Sequence, residues 1–282
     1  MKWNLQNREN NMIKKRLKDL DLGQIAASGQ CFRMEDQGEG QYSLTAFDRY
    51  LEMTQQGEEF EFSCSEEEFN SIWKDYFDLD QDYGMIKASV DPADAYLVHA
   101  VEEGWGIRIL KQDLWEIILT FLVSQNNNIT RIRRSMNLLC ETAGKKCKTE
   151  DGKIFYTFPT SEEVRSLGME GLGKLGLGYR DKYVYAMAET VSEQRLDLER
   201  LKEMEYEAAH KELTAQYGIG KKVADCICLF GLHHIQAFPI DTHVKKICEA
   251  HYPEGFDFQR YEGYAGIMQQ YMFYYDLHFA KK

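Results

Sequence analysis

Two glycines flanking one isoleucine, Gly218-Ile219-Gly220, constrain this chain more than any other feature, because one helical stretch runs up to them and another leaves at once. Tyr206 to Tyr217 reads as a helix that Gly218 ends, and Lys221 to Gly231 as the next, so that GIGKKVADCICLF opens on the turn itself. Two helices separated only by this turn form a helix-hairpin-helix. Both glycines can take positive φ and admit another backbone, and the amides opening the second helix are unpaired donors at the positive end of its dipole. That geometry suits a phosphate. It also suits a tight turn between core helices, and the hairpin alone leaves both readings open.

The remaining chain has two textures. From about Gly23 to Val101, segments such as QYSLTAF, YLEMTQ and EFEFSC alternate polar and apolar positions in the manner of half-buried strands. From Gly106 onward the pattern is helical: Trp115 to Val123 reads as a buried helix, and Ile129, Ile132, Met136 and Leu139 recur at helical spacing until Gly144 stops them. Thr160-Ser161-Glu162-Glu163 is a capping box opening a short helix that Gly168 closes. An α+β chain follows, divided by a packed junction near Trp105 into residues 1–105 and 106–282.

Nothing in the sequence reads as a membrane span or a leader. The start, MKWNLQNRENNMIKKRLKDL, is polar, and the longest apolar run, Ile117 to Val123, is far too short to cross a bilayer. A cytoplasmic protein is expected. Its seven cysteines are odd in number and include no CxxC pair, which suggests reduced thiols and neither a disulfide framework nor a four-cysteine metal cluster. The net charge of -12 argues against nucleic acid as a bulk property. Yet Glu58 to Glu103 hold 14 acids against 2 bases, so the rest of the chain is neutral overall. Local basic groups at Arg131, Arg133 and Arg134, at Arg180 and Lys182, and at Lys221 and Lys222 are either solvated surface or one basic face.

The residues behind the hairpin favour chemistry. Lys222 and Cys226 stand at i and i+4 and share one helix face close to its N-terminus, while Lys221 is rotated away by about 100°. A lysine amine is a nucleophile only when deprotonated, and partial burial beside a helix N-terminus favours that state. About twenty residues on, AFPIDTHVKKI reads as a chain stiffened by Pro239 and then a helix capped by Asp241. Asp241 is then either a cap and nothing more or, if its carboxylate faces a cleft, also a group that stabilises a developing cation.

GIGKKVADCICLF followed by AFPIDTHVKKI resembles the core of the helix-hairpin-helix DNA glycosylases. SGQCFR at Ser28 to Arg33, FLVSQNNNITRI at Phe121 to Ile132, LGLGYRDKYV at Leu175 to Val184 and YAGIMQQYMFYYDL at Tyr264 to Leu277 resemble, in order, segments of the 8-oxoguanine DNA glycosylases. The likeness spans almost the whole chain. It implies a twisted antiparallel sheet followed by an all-α helix-hairpin-helix domain. By this resemblance Lys222 attacks C1′ of the damaged nucleotide and Asp241 stabilises the oxocarbenium-like sugar. The flipped base, unreachable inside a duplex, sits between Cys226 and Phe273, with Gln269 on its Watson–Crick edge. The Gly29 carbonyl accepts the N7 hydrogen that guanine lacks.

The resemblance also implies that Asn126 fills the vacated space, Arg131 and Arg180 read the orphaned cytosine, Tyr179 wedges beside it, and His243, Gly218, Gly220 and Lys221 contact DNA backbone. The implied partner is double-stranded DNA with 8-oxoguanine opposite cytosine, bound by a monomer that needs no cofactor and no metal and sits at no membrane. Three other readings compete. A monofunctional alkylated-base glycosylase has no need of Lys222. An endonuclease III or MutY type enzyme with an iron-sulfur cluster requires four close cysteines, and none follows Cys248. A noncatalytic module grips DNA and forms no product.

Overall fold

In the computed structural model residues 12–279 are described. The first eleven residues of the polar start, on which the expectation of no leader partly rests, lie outside them. A five-stranded antiparallel sheet has the order β1-β5-β4-β3-β2, with β1 Ile13–Arg16, β2 Met34–Gly38, β3 Gln41–Ala46, β4 Arg49–Gln56 and β5 Glu59–Phe62. The three alternating segments form β3, β4 and β5. Leu51 and Met53 on β4 and Phe60 and Phe62 on β5 are buried while their neighbours are not, as a period of two requires. Opposed pairs such as Leu44 with Leu51 and Met53 with Phe62 build the inner face. Helix Leu22–Ala27 and the side chains of Trp73, Tyr76 and Phe77 pack on that face.

The strand texture expected as far as Val101 ends at Phe62. Ser65 caps a helical stretch at Glu66, its hydroxyl accepting from the Glu68 amide at 3.1 Å, and helices Tyr83–Ala88 and Ala95–Glu103 follow behind the caps Asp82 and Asp94. Aromatic residues that resemble strand formers turn inward from helices here, and Trp73 and Tyr83 are fully buried.

A second, larger core runs from these helices to the C-terminus. Its centre is helix Leu114–Ser124, buried at every residue from Ile117 to Val123, and helix Ala265–His278, buried at every residue from Ala265 to Met272. Helices apolar all round belong inside. Helix Ile129–Ala143 ends at the Gly144 cap, and the Thr160–Glu163 capping box is formed with both of its bonds. The sheet and the helices are stitched together by Gln30, whose Nε2 donates to the Arg108 carbonyl at 2.8 Å while its Oε1 accepts from the Leu110 amide at 2.9 Å. These buried bonds fix the segment from Ser28 to Arg33 that leads into the site.

Candidate active site

The hairpin joins helix Tyr206–Thr214 to helix Lys221–Gly231. The first helix stops three residues short of the expected Tyr217, and the Thr214 hydroxyl donates back to the His210 carbonyl at 2.9 Å. Gly218 has φ +87, and a Cβ there would meet the Tyr183 ring at 2.6 Å. Only glycine satisfies both demands. Gly220 departs from the expectation of positive φ: at φ -91 and ψ 174 it is extended backbone, open to any residue, and nothing lies within 4 Å of a Cβ built there. It caps the second helix without a side chain, so the opening amides face outward with no capping acceptor.

Lys222 and Cys226 face a cavity of about 460 Å³, lined also by Gly29, Phe121, Asp241, His243, Gln269 and Phe273. Lys222 Nζ stands 5.6 Å from the Phe121 ring centroid, whereas Lys221 is exposed outside the cavity. Asp225, on the same helix, points away and accepts from Tyr206 Oη at 2.7 Å. Burial pushes the Cys226 thiol up to about 11, with the Lys222 amine pulling the other way. The sulfur therefore stays protonated at neutral pH.

Asp241 both caps and faces the cavity. Its Oδ1 accepts from the His243 and Val244 amides at 2.9 and 2.8 Å, opening helix Thr242–His251. His243 Nδ1 donates to Asp276 at 3.0 Å, and its ring stands edge-on to Phe273. Gln269 is 4% exposed, yet its Oε1 has no hydrogen-bond partner. A buried orphan of this kind costs about 1–3 kcal/mol, so the amide is poised for a ligand. Gln270, which the sequence did not single out, donates to the Ser28 carbonyl at 2.6 Å and holds Gly29, at φ +76, against the Phe273 ring.

A second group, Asn126 with Tyr179 and Arg180, stands apart from the cavity, on and beside the loop between helices Leu114–Ser124 and Ile129–Ala143, whose Asn127 and Asn128 line that cavity. The loop's three asparagines divide the work. Asn127 donates to the Val123 carbonyl and Asn128 caps the next helix, accepting from the Arg131 amide. Asn126 alone is free of the turn: it is exposed, with φ +47, and its Nδ2 donates to Tyr179 Oη at 3.1 Å. Arg131 is exposed one turn on. Arg180, the other arginine that the resemblance sets on the cytosine, is turned inward. It is 4% exposed, stacked 4.6 Å over Tyr179, and donates to the carbonyls of Gln125, Leu177 and Asn126 at 2.6, 3.1 and 2.7 Å. Gln125, also not singled out, ties this loop to the hairpin through Nε2 to the Gly218 carbonyl at 3.0 Å.

Thus Gly29, Lys222, Cys226, Asp241, His243, Gln269 and Phe273 share one cavity, while Asn126, Tyr179 and Arg180 form a separate cluster that Gln125 joins to Gly218. A wider groove of about 780 Å³ between the sheet and the strand pair Lys146–Lys148 and Ile154–Tyr156 contains none of these residues. Among the described residues no cluster of His, Cys, Asp or Glu is placed to hold a metal ion.

A lysine and an aspartate sharing a cleft at the mouth of a helix-hairpin-helix define the class: the helix-hairpin-helix DNA glycosylases. Residues 12–118 match the family described as 8-oxoguanine DNA glycosylase, N-terminal domain. The chain is 34% identical over 260 residues to the N-glycosylase/DNA lyase of Saccharomyces cerevisiae, covering 83% of this chain and 69% of that protein. With the N-glycosylase/DNA lyase of Arabidopsis thaliana it shares 28% identity, covering 81% of this chain and 65% of that one. The crystal structure of Clostridium acetobutylicum 8-oxoguanine glycosylase/lyase, in complex with double-stranded DNA containing cytosine opposite 8-oxoguanine, superposes with a TM-score of 0.88 at 36% identity over 94% of each chain. The chain belongs to the 8-oxoguanine DNA glycosylase family.

Proposed function

We propose that this chain excises 8-oxoguanine from duplex DNA, opposite cytosine, and then nicks the strand at the abasic site. The observation that carries the reading is the convergence of Lys222, Asp241, Gly29 and the orphaned Gln269 amide on one cavity beside an uncapped helix N-terminus. Cavities of this size take drug-sized ligands, and a flipped purine nucleoside is in that range. The phosphate next to the lesion binds the amides behind Gly220, with Lys221 adding charge and His243 a further contact. The base lies between Cys226 and Phe273, its edge on Gln269 and its N7 hydrogen on the Gly29 carbonyl.

Lys222 Nζ then forms a bond to C1′ as the N-glycosidic bond breaks, and the electron pair leaves with the base, which takes up a proton. Asp241, held by two amides, stabilises the cationic sugar. The Lys222 nitrogen, after losing one proton, expels O4′ from C1′; that oxygen takes up a proton, the sugar ring opens and a protonated Schiff base is left. Removal of a C2′ proton expels the 3′ phosphate and cuts the strand. On the complementary strand Asn126 occupies the gap, Tyr179 wedges beside it, and Arg131 offers donors to the O2 and N3 acceptors of cytosine. Arg180 joins that recognition by first holding the loop: three of its five N–H groups are committed to carbonyls.

The proposed division into residues 1–105 and 106–282 is one of labour, the first part supplying Gly29 and the second the hairpin, the lysine and the contacts to both strands. One copy thus carries the full set of contacts, which supports action as a monomer. Among the described residues no helix is long and apolar enough to cross a membrane; the proposed DNA substrate supports a cytoplasmic, nucleoid-associated site of action in a bacterium and a nuclear one in a eukaryote. The alkylated-base reading leaves Lys222 without a task.

The test is borohydride trapping on a labelled duplex with one 8-oxoguanine opposite cytosine. Wild type is expected to form a covalent complex on the damaged duplex alone, and Lys222→Gln none, while still binding. Trapping by Lys222→Gln moves the nucleophile to Lys221. Neither trapping nor base release by wild type refutes the glycosylase and leaves a DNA-gripping module.

A further inference from the structure

One side chain on the hairpin is exposed without any need of the fold. Tyr217, directly before Gly218, is 62% exposed, while Ile219, two residues on, is buried. An exposed tyrosine by itself means little. This one is braced. Its ring stands edge-on to Tyr183, centroids 5.2 Å apart. Tyr183 lies beneath the turn, at the spot where a Gly218 Cβ would collide with it. Tyr183 is in turn edge-on to Tyr179 at 5.9 Å, and Tyr179 Oη accepts from Asn126. Three rings therefore make a continuous ridge from the complementary-strand loop to the hairpin turn, and Tyr217 is its free end.

We propose that Tyr217 is a DNA contact, its ring packing on a deoxyribose of the lesion strand beside the phosphate at the hairpin. The proposal rests on the glycosylase reading. The uncapped amides behind Gly220 and the exposed Lys221 mark where a phosphate sits, and a strand held there carries its next sugar past the neighbouring outward side chain of the same turn. A tyrosine suits that position: the ring covers apolar sugar carbons while the hydroxyl stays wet. It has only two side-chain torsions to order, and the Tyr183 contact already limits them, so little entropy is lost on binding. Because the ring is uncharged, its contribution does not depend on displacing counterions.

That last property separates Tyr217 from its neighbour. Binding to a duplex with a non-cleavable abasic analogue opposite cytosine is measured across a salt series. Tyr217→Ala is expected to bind about tenfold more weakly at every salt concentration, the worth of one aromatic platform, on a line parallel to wild type. Tyr217→Phe is expected to match wild type, and Lys221→Ala to lower the salt slope by about one. Thermal unfolding of Tyr217→Ala should match wild type, since the ring supports no core. A photocrosslink from Tyr217→p-benzoylphenylalanine should join the lesion strand. Unchanged affinity in Tyr217→Ala, an altered slope, or a crosslink confined to the complementary strand overturns the proposal. If wild type fails to prefer the abasic duplex over an undamaged one, the glycosylase reading falls first.

Discussion

Alanine at each of the two hairpin glycines should damage different properties. At Gly218 an alanine must hold φ +87, which costs an L-residue roughly 1–2 kcal/mol. Its Cβ would sit 2.6 Å from Tyr183 Cγ and Cδ1. Moving a packed ring costs about 1–3 kcal/mol, and the stiffer unfolded chain returns about 0.4–1 kcal/mol. The net loss is about 2–4 kcal/mol, or roughly 5–12 °C in Tm for a chain of this size. At Gly220 the backbone is extended and a Cβ meets nothing within 4 Å. Alanine is the poorer cap by about 0.5–1 kcal/mol, which the same entropy gain offsets. Gly220→Ala should therefore unfold within about 2 °C of wild type, yet bind an abasic-analogue duplex more weakly, because its methyl stands where a phosphate must approach. Differential scanning calorimetry and a binding titration read the two effects. A Tm loss in Gly220→Ala equal to that of Gly218→Ala, or unimpaired binding by Gly220→Ala, would falsify the division.

Three further outcomes follow from the site. Asp241→Asn should keep the cap, since its side-chain oxygen still accepts from the His243 and Val244 amides, and so keep Tm while losing base excision; Asp241→Ala should lose both, with about 1 kcal/mol of stability. Excision by Asp241→Asn at the wild-type rate would reduce Asp241 to a cap. Arg180→Ala should cost about 2–4 kcal/mol, because three carbonyls lose a buried donor. Arg131→Ala should leave Tm unchanged and flatten the ranking of opposite bases; an unaltered ranking removes Arg131 from cytosine recognition. Burial pushes the Glu116 carboxyl from its ordinary 4.5 up to about 7, against the Arg33 guanidinium 3.4 Å away. The native state then holds a proton that the unfolded chain releases, so this stability is full below pH 4.5 and fades as pH rises to about 7. Denaturant unfolding across that range should show the decline in wild type and not in Glu116→Gln, and equal slopes in both would clear Glu116.

What the sequence made legible around the cavity is local placement, and the reason is range. Lys222, Cys226 and Asp241 are placed by helix periodicity and one cap, both local, and the second hairpin helix runs from Lys221 to Gly231 as expected. The helices from Glu66 to Glu103 were not legible. Their stretch mixes acids with Phe69, Trp73, Tyr76 and Phe77, whose burial under the sheet outweighs a pattern that reads as strand. Arg180 is the clearest case of a side chain that sequence cannot orient: the resemblance sets it on the cytosine, and only the three carbonyls that converge on it show that it also holds the loop. Gln125 and Gln270 are silent for the same reason. Their partners, Gly218 and Ser28, lie 93 and 242 residues away.

The net charge of -12 is reconciled with a polyanionic substrate by where the acids stand. Several from the stretch between Glu58 and Glu103 pair with cations away from the cavity: Glu58 with Arg16, Glu61 with Lys14, Asp75 with Lys111, Asp80 with Lys74 and Asp91 with Arg260. Such exposed pairs add little stability, but they neutralise one another at short range. Among the described residues Asp241 is the only acid that lines the cavity, in company with Lys222 and His243. Beyond a Debye length of about 8 Å at physiological salt the distant carboxylates are largely screened, so a phosphate at the hairpin meets the local field of Lys221, Lys222 and the helix amides. Bulk charge slows the first encounter with DNA; it does not decide what binds at the turn. Raising salt should therefore weaken binding through those few cationic contacts, while removing acids from the sheet side should speed association and leave the rate of base excision unchanged.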